Sequence, residues 1–320
     1  MYSNNIFDDE QSDNFVMEDI TDVSLPKYIN PYTDFGFKKL FGTPMNKDLL
    51  ISFLNALFEG EEVIDDLTYL NGENLGHSSF DRRAIFDVYC KNTKGETFIV
   101  EMQKAEQEHF KDRALFYATF PIQEQGKRGV WNFNLKGVYT VAILDFMLPD
   151  GEYPNDSMRH EVLLMDKDDK HVFYDKLKFL YLEMPKFNKR EEELDGMFDK
   201  WMFVLRNLSK LLRRPKALQD RIFTRLFEQA EIARYTPQER VGYEESLKIY
   251  RDLKNVVDTA EHKGLEKGLK QGMKQGIKQG IKQGRDNGIK EVARKMKDMG
   301  LDLQQIIAAT GLSREEIYRL

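Results

Sequence analysis

The stretch FDVYCKNTKGETFIVEMQ, residues 86–103, constrains the fold most because it predicts both a hairpin and its register. Two runs of strand-forming residues flank the tripeptide Thr-Lys-Gly. A three-residue loop of this kind ends in a left-handed residue, a position that suits Gly95. Asn92 and Glu96 then close the loop. The pairs further out follow in step, and the sequence pairs Cys90 with Phe98, Val88 with Val100, and Phe86 with Met102.

This register predicts that two carboxylates face each other on the hairpin. The pairs above are apolar and form a core face, whereas the opposite face pairs Asp87 with Glu101 and Ile85 with Gln103. Like charges directly opposed in a sheet cost roughly 0.2–1 kcal/mol at exposed sites. A divalent cation would offset the repulsion, since Mg²⁺ prefers carboxylate oxygens and water, and the Gln103 amide could orient such a water. The alternative is a solvated sheet face.

The rest of the chain up to residue 187 predicts an α/β domain. Residues 46–58 have the apolar spacing of a helix. Residues 106–126 favour a second helix that Pro121 interrupts. Helix, three strands, helix and strand form an α/β pattern with a hairpin meander near its start. The predicted strand-forming runs are 61–70, 83–90, 96–103, 137–146 and 178–184.

Changes in composition divide the 320 residues into five segments. They are an acidic, disordered N-terminus (1–30), the α/β domain (31–187), a helical region (188–260), a glycine-repeat helix (261–300) and a helical hairpin (301–320).

Composition and charge narrow the function classes. A single cysteine, Cys90, excludes an internal disulfide and favours a cytoplasmic protein. No apolar run is long enough to cross a membrane. The five histidines lack zinc-type spacing, and no phosphate-binding glycine loop is present. The net charge is -6, yet residues 261–297 hold eleven Lys and Arg against four acids. This basic tail predicts contact with a polyanion, or else a solvated helix face.

Glycine recurs every four residues from Gly264 to Gly288, and an apolar residue follows most of these glycines. Each glycine costs a helix about 0.8–1 kcal/mol relative to alanine, so a helix here needs a compensating contact. We therefore expect either a partner helix, with homo-oligomerisation through residues 261–320, or a flexible spacer. In the last segment, Ser313 and Glu316 form a capping box between two helices. That segment resembles the first part of a helix-turn-helix, and docking on a partner fits it equally well.

Three pieces of the sequence together resemble a known family. They are NPYTDFGFKKLFG (30–42), the hairpin with its FDVYC and FIVEMQ strands, and the glycine repeats ending in GLSREEI. They are similar to the PD-(D/E)XK nuclease superfamily, and within it to the recombination-promoting nucleases, or PD-(D/E)XK nuclease family transposases. In the first piece, Phe35, Phe37, Leu40 and Phe41 indicate core packing.

The resemblance implies a restriction-endonuclease-like core and a Mg²⁺- or Mn²⁺-dependent DNA endonuclease linked to recombination or mobile elements. It implies that Asp87 and Glu101 bind the metal, with the Met102 carbonyl as a third ligand and Asp34 as a further acid. Gln103 takes the place of the superfamily's catalytic lysine. The alternative is a catalytically silent module that binds DNA or a protein through its basic tail. Basic residues that flank the motifs are candidates for DNA contact: Lys38, Lys39, Arg82, Arg83, Lys111 and Arg113.

Overall fold

A computed structural model describes residues 26–60, 63–71, 85–126, 131–149 and 156–320. The helices are α1 (Asp34–Phe41), α2 (Lys47–Leu57), α3 (Phe110–Glu124), α4 (Gly196–Asn207), α5 (Arg221–Ala230), α6 (Pro237–Asp298), α7 (Leu303–Thr310) and α8 (Arg314–Tyr318). The strands are β1 (Leu67–Tyr69), β2 (Val88–Asn92), β3 (Thr97–Gln103), β4 (Val138–Leu144), β5 (Arg159–Met165) and β6 (Val172–Glu183).

These strands form one mixed sheet in the order β1-β2-β3-β4-β6-β5. The first three make an antiparallel meander, β3, β4 and β6 run parallel, and β5 lies antiparallel to β6. This confirms the predicted α/β class and the meander. Because β3, β4 and β6 are parallel, their carboxyl ends meet at one edge of the sheet.

Two features differ from the sequence prediction. Strand β5 was not predicted, because most of its side chains are exposed or half-buried and give no clear alternation. Helix α3 continues through Pro121 to Glu124. Proline removes one backbone donor, but only the final turn of the helix follows it, so the prediction of a break was wrong.

The two faces of the sheet are covered differently. One face packs against α1, α2, α4 and α5 in a large core that includes Phe53 and Trp201. On the other face, α3 places Phe110, Ala114 and Ala118 against β4 and β6. The acids of the hairpin lie on the face that α3 covers, because Glu101 alternates with the core residues Val100 and Met102.

The chain divides into two compact units, one up to Arg251 and one from Asp252. In the second unit, the end of α6 packs against α7 and α8, with Ala293, Ile306 and Ile317 buried together. The predicted helices in 301–320 and the capping box on α8 are confirmed. The end of α6 supplies a third helix, which the sequence pattern did not identify. Within the described ranges, no helix is both apolar and long enough to cross a membrane.

Candidate metal centre

The hairpin has the register that its turn predicts. Gly95 takes a left-handed conformation with φ of 85°, and its N–H donates to the Asn92 carbonyl at 3.0 Å. The N–H of Asn92 donates to the Glu96 carbonyl at 2.9 Å and closes the loop. Val88 then pairs with Val100, and Cys90 with Phe98. The regular ladder ends at Val88, and Asp87 lies just beyond it, where its charge acts on Glu101. The prediction that Phe86 lies on the core face with Val88 is wrong. The chain bends at Asp87, and Phe86 packs with Tyr89 and Ile99 on the face that α3 covers.

Asp87 lies just before β2 and is half-buried. Its Oδ2 accepts a hydrogen bond of 2.9 Å from the backbone N–H of Met102. Burial raises the pKa of Asp87, and the charge of Asp34 raises it further, whereas the Met102 N–H opposes both effects. The carboxylate is thus fixed against β3.

Glu101 is the more buried of the two acids, with 8% of its surface exposed. Burial is the main cause that raises the pKa of Glu101 to about 7, and the charge of Asp87 adds to it. Arg113 and the hydrogen bond from Gln103 act in the opposite direction. The like-charge repulsion that the register predicts therefore acts at a desolvated site.

Gln103 lies two residues further along β3 and is also buried. Its Nε2 donates to Glu101 Oε2 at 2.8 Å, and its Oε1 accepts from Arg113 Nη2 at 2.6 Å. Sequence analysis placed Arg113 among the DNA-contact candidates, but the structure directs its guanidinium at Gln103 and Gln107. The sequence did not predict this contact, because no spacing rule relates a residue on a strand to a residue on the helix that packs over it.

The TDFGF motif builds the start of α1. Thr33 caps this helix by accepting a hydrogen bond of 2.9 Å from the Gly36 N–H. A Cβ on Gly36 would lie 2.2 Å from the Asn30 carbonyl oxygen, so only glycine fits. Asp34 is half exposed and pairs with Lys38 at 3.0 Å. The predicted packing role of the motif is confirmed for the residues that are fully buried: Phe37, Leu40 and Phe41.

The other DNA-contact candidates are scattered. Lys39 pairs with Glu239 at 2.5 Å and lies over the Tyr235 ring, and Lys111 is exposed. Arg82 and Arg83 lie outside the described residues. Lys104 directly follows the last residue of β3, and its charge lowers the pKa of Asp87.

The residues fit a hard cation that keeps several waters. In the ranges that the structure describes, no three His, Cys, Asp or Glu side chains cluster as a complete metal cage. Mg²⁺ commonly takes one or two carboxylates and fills its octahedron with water and phosphate oxygens. Asp87 and Glu101 can provide the two carboxylates. The Met102 carbonyl points to the same side of β3 as the Met102 N–H that contacts Asp87.

Comparisons with curated proteins and with solved structures found no match. The comparison with protein families found a match. Residues 31–260 match the PD-(D/E)XK nuclease family transposases, and this range contains the TDFGF motif, the hairpin with both acids, and the helices up to the first part of α6. The match covers well over half of the chain and spans the whole sheet. The chain therefore belongs to the PD-(D/E)XK nuclease family transposases.

Proposed function

We propose that this protein is a Mg²⁺- or Mn²⁺-dependent DNA endonuclease that hydrolyses phosphodiester bonds in recombination or in the movement of mobile elements. The observation that carries the proposal is the position of the two acids: the Met102 N–H holds the Asp87 carboxylate at 2.9 Å, beside the buried Glu101, on the face that α3 partly covers. Two carboxylates held together at a desolvated site are costly without a cation. The family match supports a nuclease-like role.

In this proposal, Asp87, Glu101 and the Met102 carbonyl hold the cation. When bound, the cation supplies Lewis-acid activation of water and neutralises charge on the reacting phosphate. Gln103 directs its amide nitrogen at Glu101, so we assign it the task of orienting that carboxylate. Asp34, which pairs with Lys38, remains at the periphery of the site, where its charge reaches Asp87.

A cleavage assay on supercoiled and linear DNA tests the proposal, with Mg²⁺, Mn²⁺ or EDTA present. Asp87→Ala and Glu101→Ala should each abolish cleavage and keep a native circular dichroism spectrum. Asp175→Ala is the matched control, because Asp175 is an exposed acid on β6 of the same sheet. Cleavage at the wild-type rate by either site variant would refute the assignment.

A second candidate function is binding without catalysis. Gln103 cannot carry the positive charge of a lysine, and the second unit presents a surface suited to partners. The apolar side chains that follow the repeat glycines are 56–73% exposed: Leu265, Leu269, Met273, Ile277 and Ile281. Nothing lies within 4 Å of the Cβ position at these glycines, so another helix could approach closely.

We propose that this stripe associates with the same stripe of a second copy, because a four-residue repeat is complementary to itself at many registers. The lysines of the repeat, such as Lys274 and Lys278, each follow an apolar residue by one position, about 100° around the helix, so they would stay accessible to DNA beside such a contact. We also propose a cytoplasmic location for the protein. The single cysteine, Cys90, supports it, because Cys90 is buried and can form no disulfide within the chain.

A further inference from the structure

The side chain of Gln103 is held between an acid and a base. Its Nε2 donates to Glu101 Oε2 at 2.8 Å, while its Oε1 accepts from Arg113 Nη2 at 2.6 Å. An amide oxygen cannot donate and a guanidinium cannot accept, so this contact decides which way the amide points. With its oxygen on Arg113, Gln103 must turn its nitrogen toward Glu101. Both Gln103 and Glu101 are at least nine-tenths buried, so water competes weakly for these bonds.

The guanidinium of Arg113 is itself held in place. It also donates through Nη1 to Gln107 Oε1 and lies 5.9 Å from the centre of the Tyr117 ring. One turn earlier, Phe110 packs edge-on against Tyr181 of β6, with ring centres 5.5 Å apart. This contact anchors the start of α3 on the sheet. Helix α3 therefore presents the charge of Arg113 at a defined point beside the end of β3.

The charge of Arg113 opposes the two causes that disfavour a charged Glu101, namely burial and the carboxylate of Asp87. The other cations near the acids, Lys38 and Lys104, act on Asp87, and Lys38 also pairs with Asp34. Arg113 is thus joined to Glu101 by a continuous chain of hydrogen bonds through Gln103.

We propose that Arg113 is a positioning residue of the metal centre, which acts through Gln103 to orient Glu101 and supplies the positive charge that a lysine at position 103 would have carried. The inference rests on the proposed nuclease function, because the orientation matters for cation binding and cleavage. It also makes a prediction for the metal-free protein, which can be tested separately.

The first test uses thermal melts in EDTA at about pH 8. Arg113→Met should lower the melting temperature by several degrees, because the buried carboxylate of Glu101 loses its compensating charge and Gln103 loses a hydrogen bond. In the Glu101→Gln background, Arg113→Met should lower the melting temperature by at most half as much. Arg213→Met, at an exposed position after α4, controls for the loss of an arginine. An equal drop in both backgrounds would show that Arg113 only anchors α3, and would overturn the proposal.

The second test uses DNA cleavage. Arg113→Met and Gln103→Met should each reduce the rate about 10- to 100-fold, as is usual for residues that orient metal ligands. The double variant should be no more than about threefold slower than the slower single variant, because either change already breaks the connection. Independent roles would multiply the two losses instead. Arg113→Lys keeps the positive charge but loses the planar set of N–H donors of the guanidinium, so its rate should lie between those of the wild type and Arg113→Met.

The outcomes separate the two proposals. If the wild type does not cleave DNA with any metal, the proposed function fails, and the melts in EDTA still decide whether Arg113 compensates the charge of Glu101. If the wild type cleaves DNA, the nuclease function stands. The role of Arg113 is then refuted by either of two results: Arg113→Met cleaves as fast as the wild type, or the rate losses of Arg113→Met and Gln103→Met multiply in the double variant.

Discussion

The backbone N–H of Met102 donates a hydrogen bond of 2.9 Å to the carboxylate of Asp87. This bond continues the β2–β3 ladder with a side chain in place of a backbone acceptor. Asp87 is therefore tied to the residue that follows Glu101, and the two acids cannot move apart without breaking it. The metal-free protein carries their repulsion, and a bound cation would relieve it.

The raised pKa of Glu101 predicts how stability depends on pH. The pKa is about 7 in the folded chain against an ordinary value of 4.5. The folded state thus holds this proton more tightly than the unfolded state, so the free energy of unfolding falls as pH rises from about 4.5 through about 7. The loss from this residue is about 3 kcal/mol at most. The raised pKa of Asp87 acts in the same direction.

Urea denaturation in EDTA between about pH 4.5 and pH 8 measures this dependence. Glu101→Gln cannot titrate, so its free energy of unfolding should fall much less over the same range. Identical pH profiles for the wild type and Glu101→Gln would contradict a raised pKa at Glu101.

Two glycines should respond to alanine in opposite directions. At Gly36 the new Cβ would lie 2.2 Å from a backbone oxygen of Asn30, which cannot easily move. We expect Gly36→Ala to destabilise the first unit by roughly 1–3 kcal/mol, as overpacked sites do. Within one copy nothing lies within 4 Å of the Cβ position at Gly276, so Gly276→Ala should stabilise α6 of the unassociated protein by about 1 kcal/mol.

Denaturant titration for Gly36→Ala and helical circular dichroism on heating for Gly276→Ala measure the two effects. An unchanged free energy of unfolding for Gly36→Ala would mean that the TDFGF turn does not need glycine. A loss of helicity in Gly276→Ala at low protein concentration, where the chains are unassociated, would contradict the open surroundings of Gly276 within one copy.

Deleting residues 261–320 should weaken both self-association and DNA binding. Binding of DNA through the lysines of the repeat should also fall steeply with added salt, because neutralised phosphates release counterions. Light scattering and DNA binding at two salt concentrations measure these effects. If both are the same for the truncated and the full chain, the tail is a spacer.

Two variants of the repeat separate its roles, and both keep the helix. One replaces its lysines by glutamine: Lys270, Lys274, Lys278 and Lys282. The other replaces the apolar stripe by alanine: Leu265, Leu269, Met273, Ile277 and Ile281. We expect the lysine variant to lose salt-sensitive DNA binding and keep self-association. We expect the apolar variant to lose self-association and keep DNA binding. Loss of both properties in the lysine variant alone would contradict a separate apolar contact.

The hairpin was predictable because its information is local. Turn chemistry at Gly95 sets the register, and the two-residue period of a strand then places Asp87 and Glu101 on one face. The period fails at Phe86, because the chain bends at Asp87. The contact between Arg113 and Gln103 was not predictable, since it depends on how α3 lies on the sheet. Strand β5 escaped prediction because an exposed edge strand carries little apolar pattern.

In the second unit, the Lys, Gln and Leu content predicted the repeat helix, and the sequence also predicted the two short helices that follow it. The end of α6 was not recognised as their packing partner, because the glycine repeat dominates the pattern before it. Ala293, which is fully buried there, has little hydrophobic signal of its own.

Thermal melts of the wild type and Glu101→Gln, with EDTA and with millimolar Mg²⁺, test the central claim that the opposed acids form a cation site. In EDTA at about pH 8, Glu101→Gln should melt higher than the wild type, because it keeps the shape of the side chain and removes the repulsion. Mg²⁺ should raise the melting temperature of the wild type by binding only the folded state, and should do little for Glu101→Gln. If Glu101→Gln melts lower in EDTA and Mg²⁺ shifts neither protein, Asp87 and Glu101 do not form a metal centre.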